Sequence, residues 1–193
     1  WNLIMTDILA IDPGTTKLDL SYIDHLQRSN AGELAFYPLS ALEKASEARQ
    51  ILQCYDNDEP AGYLWFGPVR PGYDITIYQA CVDYDSRKRH LGWGMVKDLV
   101  QIGKSSAALG IRLKCRSSSE ANEFWQAIGF YCTNVTKGGL ARAAMLNHWR
   151  TDLTESLFTL EPVEASTKKI DPREYNKMKK DGVKMLSRWS REK

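Results

Sequence analysis

The stretch that most constrains the fold of this chain is a strand-like run, a glycine-bearing turn and a helix-like run in succession. Residues 75–84 are apolar and favour a strand, and residues 95–102 have helical spacing. Between them lies Arg89-His-Leu-Gly92-Trp-Gly94. The first N–H groups of a helix have no partner within it, and the helix dipole favours an anion there. The sequence therefore predicts a phosphate-binding turn inside an α/β domain.

The residue types of the turn support the same interpretation. Gly92 and Gly94 have no Cβ atoms, so a ligand can approach their backbone closely. Arg87, Lys88 and Arg89 add positive charge beside it. An unrelated strand–turn–helix unit would show the same local pattern, so features elsewhere in the chain have to separate the two interpretations.

The turn resembles the acyl-CoA-binding motif of the GNAT acetyltransferases, Gln/Arg-x-x-Gly-x-Gly/Ala, with Arg89, Gly92 and Gly94 at its fixed positions. Residues 120–130 read Glu-Ala-Asn-Glu-Phe-Trp-Gln-Ala-Ile-Gly-Phe and resemble the family's later helix and its closing Gly-Phe. Residues 58–65 resemble the turn and third strand. The resemblance implies an α/β (α+β) GNAT fold, a mixed twisted central sheet with helices on both faces.

The order of the predicted elements agrees with that fold. Apolar periodicity and turn residues predict the order β-α-α-β-β-β-α-β-α-β-β, beginning with a strand at residues 7–11. The length of 193 residues suits one domain with an extension. We expect a GNAT acyl-CoA-binding domain at 1–150, and a linker with a basic amphipathic C-terminal helix at 151–193.

Local signals predict where several elements begin and end. The central strand is expected to run to Tyr84, and the following helix to start at Met95 and stop at Gly110. Ser40 is the expected cap of the second helix. Residues 117–120 predict a capped start of the helix that follows.

The resemblance also implies how acyl-CoA is held. In GNAT enzymes it lies where two central strands separate, with its pyrophosphate on the turn and its pantetheine along the preceding strand. Acetyl-CoA is therefore the expected acyl-donor co-substrate, and an amine the expected acceptor. The residues implied in cofactor binding are Val82, Tyr84, Arg87, Arg89, His90, Leu91, Gly92, Trp93, Gly94, Ser118 and Asn122. Ser118 matches the position of the family's asparagine, and Asn122 lies one turn away.

The chain departs from the family at its proton-transfer positions. Tyr78 stands where some relatives carry a glutamate base, but tyrosine has a pKa of about 10 and acts more readily as a relay through water. Trp125 stands where many relatives carry a tyrosine acid, and an indole N–H cannot serve as that acid. The catalytic candidates are Tyr78, Asp83 and Tyr131, for each of which a structural role is an equal alternative.

Three functions remain open from the sequence. The first is an acyl-CoA-dependent N-acyltransferase, and the second a GNAT-fold protein that binds a partner and has lost acetyl transfer. The third is a phage-type relative that modifies or binds nucleic acid or a protein. The piece Ile11-Asp-Pro-Gly-Thr-Thr16 also resembles the first motif of RNase H-like nucleases and actin-like ATPases. Those folds need a hairpin and later acidic residues, which do not follow here.

Basic charge is concentrated in the tail. Residues 166–193 hold ten Lys or Arg against four Asp or Glu, a net charge of +6, and the remainder carries −4. The predicted helix there places its apolar residues on one face. These residues are Tyr175, Met178, Met185, Leu186 and Trp189. The helix is expected either to pack on its own domain or a second subunit, as in a homodimer, or to dock nucleic acid or another protein.

The cysteines and the hydropathy bear on the cellular compartment of the chain and on membrane association. The four cysteines, Cys54, Cys81, Cys115 and Cys132, have no Cys-x-x-Cys spacing, which predicts buried free thiols and no metal site. The chain has neither a run of about eighteen apolar residues nor a secretory signal. We therefore expect no membrane span and a cytoplasmic location.

Overall fold

The protein was analysed as a computed structural model, which describes residues 18–138 and 144–153. The helices are α1 (Leu20–Ser29), α2 (Leu39–Glu47), α3 (Leu91–Ser105) and α4 (Ala121–Ala127). The strands are β1 (Ile51–Asp56), β2 (Glu59–Phe66), β3 (Asp74–Val82), β4 (Gly110–Arg116), β5 (Tyr131–Lys137) and β6 (Met145–Asp152). The predicted strand at 7–11 and the tail lie outside the described residues.

The six strands form one mixed sheet in the order β1-β2-β3-β4-β6-β5. The pair β3–β4 is parallel, and the other neighbours are antiparallel. A parallel pair needs a crossover connection, and α3 supplies it between β3 and β4. The predicted mixed sheet with helices on both faces is confirmed.

The two faces of the sheet have separate apolar clusters. On one face α3 and α4 pack against β1–β4 and β6, around Leu64, Ile75, Leu99 and Ile111, all fully buried. Each such side chain contributes about 1.5–3 kcal/mol when it leaves water. On the other face α1 and α2 cover β1, β2 and β3, with the fully buried Ile23 at the centre of the contact.

A bulge in β3 changes which face its side chains occupy. The register with β2 pairs Trp65 with Gln79 but Phe66 with Ile77, so Tyr78 is the extra residue. Ile75 and Ile77 therefore join the α3 cluster, whereas Cys81 joins the α1–α2 cluster. The bulge leaves Tyr78 exposed in the middle of an otherwise buried strand.

Several predicted element ends were wrong. β3 stops at Val82, and a 3₁₀ turn at Tyr84–Ser86 follows it, because the Asp83 carboxylate accepts from the Asp85 N–H. α3 begins four residues earlier than predicted, at Leu91, and ends at Ser105. Ala107, with φ 54°, turns the chain after it.

The remaining errors concern caps. Gly110 opens β4 and does not stop a helix. Ser40 lies inside α2, whose capping residue is Pro38 with no side-chain cap. The capped start predicted for α4 is only partly present, since Glu120 makes no capping bond and the Ser119 hydroxyl accepts from the Ala121 N–H at 3.3 Å.

All four cysteines are free thiols, but their burial differs from the prediction. Cys81 is buried, Cys54 and Cys115 are half-buried, and Cys132 on the edge strand β5 is exposed. Over residues 18–138 and 144–153, no helix combines the length and apolarity needed to cross a bilayer.

Candidate active site

The two parallel central strands pair over a short distance and then separate. β3 and β4 are in register from Asp74 with Gly110 as far as Ile77 with Leu113. Beyond that point β3 continues to Val82 and β4 continues to Arg116, but the two strands no longer pair with each other. The bulge at Tyr78 stands at the start of this separation. A wedge-shaped opening therefore lies between the carboxyl ends of the two strands.

The backbone of β3 faces this opening at alternate residues. The Asp83 N–H donates to the Ala61 carbonyl of β2 at 2.8 Å. Successive residues of a strand direct their backbone N–H and C=O groups to opposite sides. Since Asp83 faces β2, the backbone groups of Ala80 and Val82 point away from β2, into the opening between β3 and β4. The Val82 carbonyl accepts from Arg87 Nε at 3.1 Å. The edge of β3 thus offers hydrogen-bonding groups to a ligand in the opening.

The turn before α3 has an unusual backbone. Lys88 has φ 63° and His90, the capping residue of α3, has φ 62°, both in the left-handed region that few non-glycine residues adopt. His90 makes no side-chain cap. The N–H groups of Leu91 and Gly92 lie in the first helical turn, where an α-helix supplies no acceptor. The turn therefore presents donors and a positive dipole end, as predicted.

Gly92 is packed between the two sides of the opening. A Cβ built on it would lie 3.3 Å from the Phe124 ring of α4 and 3.6 Å from a Val82 methyl group. The helix start therefore touches both the end of β3 and the helix that follows β4. Close side-chain packing is thus a second reason for a glycine here, beside the ligand approach that we expect from the sequence.

Two of the three cations of the turn, Arg87 and Arg89, have protein partners. Arg89 forms an ion pair with Asp56 at the end of β1, and the Ser86 hydroxyl donates to the same carboxylate at 3.2 Å. Arg87 lies over the exposed Tyr84 ring, with 5.3 Å from guanidinium carbon to ring centroid. Both pairs lie beside the turn, so its positive charge is held in place.

Asp83 is tied to α1. The Tyr22 hydroxyl donates to Asp83 Oδ2 at 3.4 Å. Burial, followed by the charge of Asp83, raises the pKa of Tyr22 well above its ordinary value. The phenol therefore stays neutral and remains a hydrogen-bond donor to the carboxylate.

Tyr78 is the catalytic candidate closest to the point of separation. Its ring packs edge-on against Trp65 at 5.6 Å between centroids and is 44% exposed. It lines a groove with Arg70, Thr76 and Arg112. Its hydroxyl lies over Gly67, where an added Cβ would come within 2.8 Å of it. The phenol therefore lies at the edge of a solvent-open groove whose other lining residues belong to the loop before β3 and to the paired start of β3 and β4.

The structure does not bring Tyr131 together with the other candidates. Its hydroxyl donates to Asp152 at 2.8 Å and accepts from Arg150 at 2.9 Å. Arg150 also binds both oxygens of Asp74 at the start of β3, eight residues before its last residue, Val82. Tyr131 thus belongs to an ion network at the opposite end of the strand.

Asn122 has extensive bonds within the protein. Its amide nitrogen donates to the carbonyls of Arg116 and Ser119, both at 2.7 Å. Its oxygen accepts from Asn147 at 3.0 Å and from Trp149 at 2.9 Å. Asn122 therefore joins β4, α4 and β6, whereas Ser118 is exposed in the loop just before α4.

Trp125 occupies the position where the resemblance predicts an acid, and it is part of the core. It is 4% exposed and packs edge-on against Phe124 and Phe130. Its role in the structure is packing, which agrees with the expectation that it is not an acid.

Sequence reasoning missed the segment between α1 and α2. The Gln27 side chain donates to the Tyr37 carbonyl at 2.8 Å and accepts from its N–H at 3.2 Å. Gln79, beside Tyr78, donates to the Ala35 carbonyl and accepts from Tyr63 at 3.0 Å. Both glutamines are buried, so the loop is fixed against β3.

The same loop carries a carboxylate towards β4. Burial raises the pKa of the Cys115 thiol, a hydrogen bond with Ser119 opposes this rise, and the charge of Glu33 adds to it. Glu33 therefore lies within electrostatic range of the carboxyl end of β4. A polar loop residue without periodicity gives no sequence signal for such a position.

Comparisons with known proteins agree with this geometry. A model of the Acetyltransferase (GNAT) family matches residues 18–130, more than half of the chain. The chain belongs to the GNAT acetyltransferase family. The match contains the turn, the separated strands and α4. No curated protein matches the sequence.

Solved structures of GNAT proteins share the fold. Ard1 from Thermoplasma volcanium is 14% identical, with a TM-score of 0.63 over 71% of this chain and 93% of that one. The protein yncA from Salmonella typhimurium, solved with its cofactor acetyl-CoA, is 17% identical, with a TM-score of 0.60 over 71% and 90%. A ribosomal-protein-alanine N-acetyltransferase from Brucella melitensis is 14% identical, with a TM-score of 0.58 over 69% and 94%. At these identities the likeness concerns the fold.

Proposed function

We propose that this GNAT protein transfers an acetyl group from acetyl-CoA to an amine, and that the transfer takes place where β3 and β4 separate. The observation that carries the proposal is the opening itself, which begins at the Tyr78 bulge and has the start of α3 at its mouth. Acetyl-CoA is the acyl donor found with the related yncA. The printed family description, an acetyltransferase, supports the same chemistry.

The chain would hold the donor through its backbone. The first N–H groups of α3 and the cations of the turn suit a pyrophosphate. The backbone groups of Ala80 and the Val82 N–H, which point away from β2, suit the amides of a pantetheine arm, which can pair there as an added strand. A β3 N–H near the bulge would donate to the thioester carbonyl and stabilise the oxyanion that forms.

The transfer makes one bond and breaks one. The amine nitrogen attacks the acyl carbon, an amide bond forms, and the C–S bond breaks. The nitrogen loses a proton and the departing CoA thiolate gains one. We assign Tyr78 as the group that relays the amine proton through water, because its phenol is exposed in the groove at the point of separation.

The other predicted residues take different places in this proposal. Asp83 orients the chain between β3 and the turn through Tyr22. Asn122 positions α4, since its amide is bonded within the protein. Tyr131 is not part of the proposed site. The turn from Arg87 to Gly94, together with Val82, Tyr84 and Ser118, remains the proposed cofactor contact.

An acceptor screen tests this function. The full chain with acetyl-CoA is offered a mixture of peptides with free α-amines, lysine peptides and small primary amines. The proposal expects an acetylated amine by mass spectrometry, with release of an equal amount of CoA thiol. Binding of acetyl-CoA without any acetylated amine would instead support a partner-binding protein that has lost transfer.

A further inference from the structure

The open half of the sheet carries an unusual charge arrangement. We use "open face" for the side of β4, β6 and β5 opposite α3. There Ile111 and Leu113 point into the α3 cluster, so the alternating Arg112 and Lys114 point the other way and are exposed. α1 and α2 pack on the same side, but on β1, β2 and β3.

The two cations are available for a partner. Arg112 uses its Nε to donate to Thr76 at 3.0 Å, which fixes the guanidinium but leaves its terminal nitrogens. Within the described residues, neither Arg112 nor Lys114 has a carboxylate within ion-pair distance. Asp74, the carboxylate lining the adjoining groove, is paired with Arg150 at 3.1 Å. The groove and open face are therefore locally positive.

The surroundings favour an acidic peptide. Adjacent residues of one face of a strand are about 6.6 Å apart, the spacing of alternate side chains in an extended peptide. Next to Lys114 lies His148, whose pKa is lowered by burial and then by the charge of Lys114, so it is neutral. Its Nε2 is 2.8 Å from the Thr136 hydroxyl. Lys114 thus has neutral polar neighbours, whereas the neighbour of Arg112 on β6 is Arg150, which is paired with Asp74 and Asp152.

A single-stranded nucleic acid fits less well. Such ligands use aromatic rings placed among the cations as stacking platforms. Exposed rings do lie near Arg112, since Tyr73 and Tyr78 line the adjoining groove and Tyr131 lies on β5. The choice between the two ligands therefore rests on charge. The chain outside the tail carries −4, which opposes a long polyanion but not a short acidic segment.

We propose that the acceptor amine belongs to an acidic polypeptide segment, which lies extended over Arg112 and Lys114 and places its amine at the Tyr78 groove. This inference rests on the proposed acetyl transfer. Arg112 and Lys114 on the open face would hold the acidic side chains. The proposal assigns to Arg112 and Lys114 a role in selecting the acceptor.

Fluorescence anisotropy tests the proposal on the full chain, with and without CoA. Two labelled peptides differ only in that one has Asp and Glu where the other has Asn and Gln. The acidic peptide should bind about tenfold more tightly, as expected for two partly exposed ion pairs. The double variant Arg112→Gln/Lys114→Gln should lose this preference and keep the wild-type affinity for acetyl-CoA. The matched control Lys44→Gln/Arg49→Gln removes the same charge from exposed positions on and beside α2 and should keep the preference.

Three results would overturn the proposal. They are equal affinity for both peptides, a preference that survives the Arg112→Gln/Lys114→Gln change, and tighter binding of a single-stranded oligonucleotide through the same two residues. Failure of the proposed transferase function would appear in the acceptor screen, as binding of acetyl-CoA without an acetylated amine. Peptide selectivity does not depend on that result. Equal melting temperatures of the two double variants show that both are folded.

Discussion

The two tyrosines that are candidates for proton transfer, Tyr78 and Tyr131, differ in what they can do chemically. Tyr78 is at the strand separation, whereas the Tyr131 hydroxyl is bonded to Asp152 and Arg150. Two tyrosines that look equivalent in the sequence are therefore separated by the structure. Their removal should have different effects on turnover.

Tyr78→Phe should lower kcat by about a hundredfold, the lower end of what a positioned proton-transfer group contributes. The KM for acetyl-CoA should change little, since the phenol is not assigned to cofactor binding. Steady-state kinetics with an acceptor from the screen measures both. The control is Tyr131→Phe at a temperature where both variants are folded, and it should keep its kcat. If Tyr131→Phe loses activity while Tyr78→Phe does not, the assignment is wrong.

Asp152→Asn tests the ion network at the other end of the strands. A hydrogen bond from Tyr131, and then Arg150, lowers the pKa of Asp152. The native state therefore favours the charged form, and this stability is present above the ordinary aspartate pKa of about 3.9. This stability is lost as the pH falls through the lower pKa that Asp152 has in the native state. The variant should be less stable by up to ~1 kcal/mol at pH 7, because the group is partly exposed.

Thermal unfolding at several pH values measures this difference. The gap between wild type and Asp152→Asn should narrow on acidification and close at the lowest pH. Glu43→Gln on the exposed side of α2 is the control. A gap that stays constant with pH would show that lost packing, and not the charge, is responsible.

At the scale of elements, the α1–α2 loop is the part least visible in the sequence. Two buried glutamines fix it, and they lie in separate elements, α1 and β3. A glutamine in a strand reads as a polar surface position, because its partners come from residues distant in the chain. Gln79 bonds across 44 positions to Ala35.

Gln79→Leu should therefore destabilise the protein by about 1–3 kcal/mol, since it leaves the Tyr63 hydroxyl and the Ala35 carbonyl unsatisfied. Denaturant unfolding measures the change, and hydrogen exchange should show lost protection in residues 33–37. Gln101→Leu on the exposed side of α3 is the control and should stay within about 0.5 kcal/mol. Unchanged exchange in the loop of Gln79→Leu would contradict the role given to this side chain.

The elements with strong periodicity were predictable, and the geometry between them was not. Gly92 and Gly94 indicate the family, and the order of the periodic elements indicates the mixed sheet. The sequence predicts the start of α3 at Met95, four residues too late, because a left-handed His90 leaves no sequence signal for the true start at Leu91. Likewise the bulge at Tyr78 depends on the register with β2, which no local pattern encodes.

At the scale of the whole molecule, the basic tail is the element for which the sequence predicts two different roles. It lies outside the described residues, so the two expectations for it, packing and docking, stay predictions. We favour packing, because an exposed helix would leave Tyr175, Met178 and Trp189 in water.

Deletion of residues 168–193 separates the two roles of the tail. Packing predicts a lower melting temperature, by several degrees, because apolar surface becomes exposed. Docking on nucleic acid predicts an unchanged melting temperature and the loss of a binding activity that falls steeply with salt. Differential scanning calorimetry and oligonucleotide titration at two salt concentrations measure these outcomes. The second pattern would reverse our preference.

The central claim is that the start of α3 and the separated strands hold acetyl-CoA. Calorimetric titration of acetyl-CoA into the wild-type chain, Gly92→Glu and Gly32→Glu tests it most directly. Gly32 has nothing within 4 Å of an added Cβ, so it gives the same chemical change at an open position. The wild type and Gly32→Glu should bind one equivalent with equal affinity. Gly92→Glu should not bind, because its side chain crowds Phe124 and places an anion where the pyrophosphate would lie. Equal affinity of all three proteins would contradict the account.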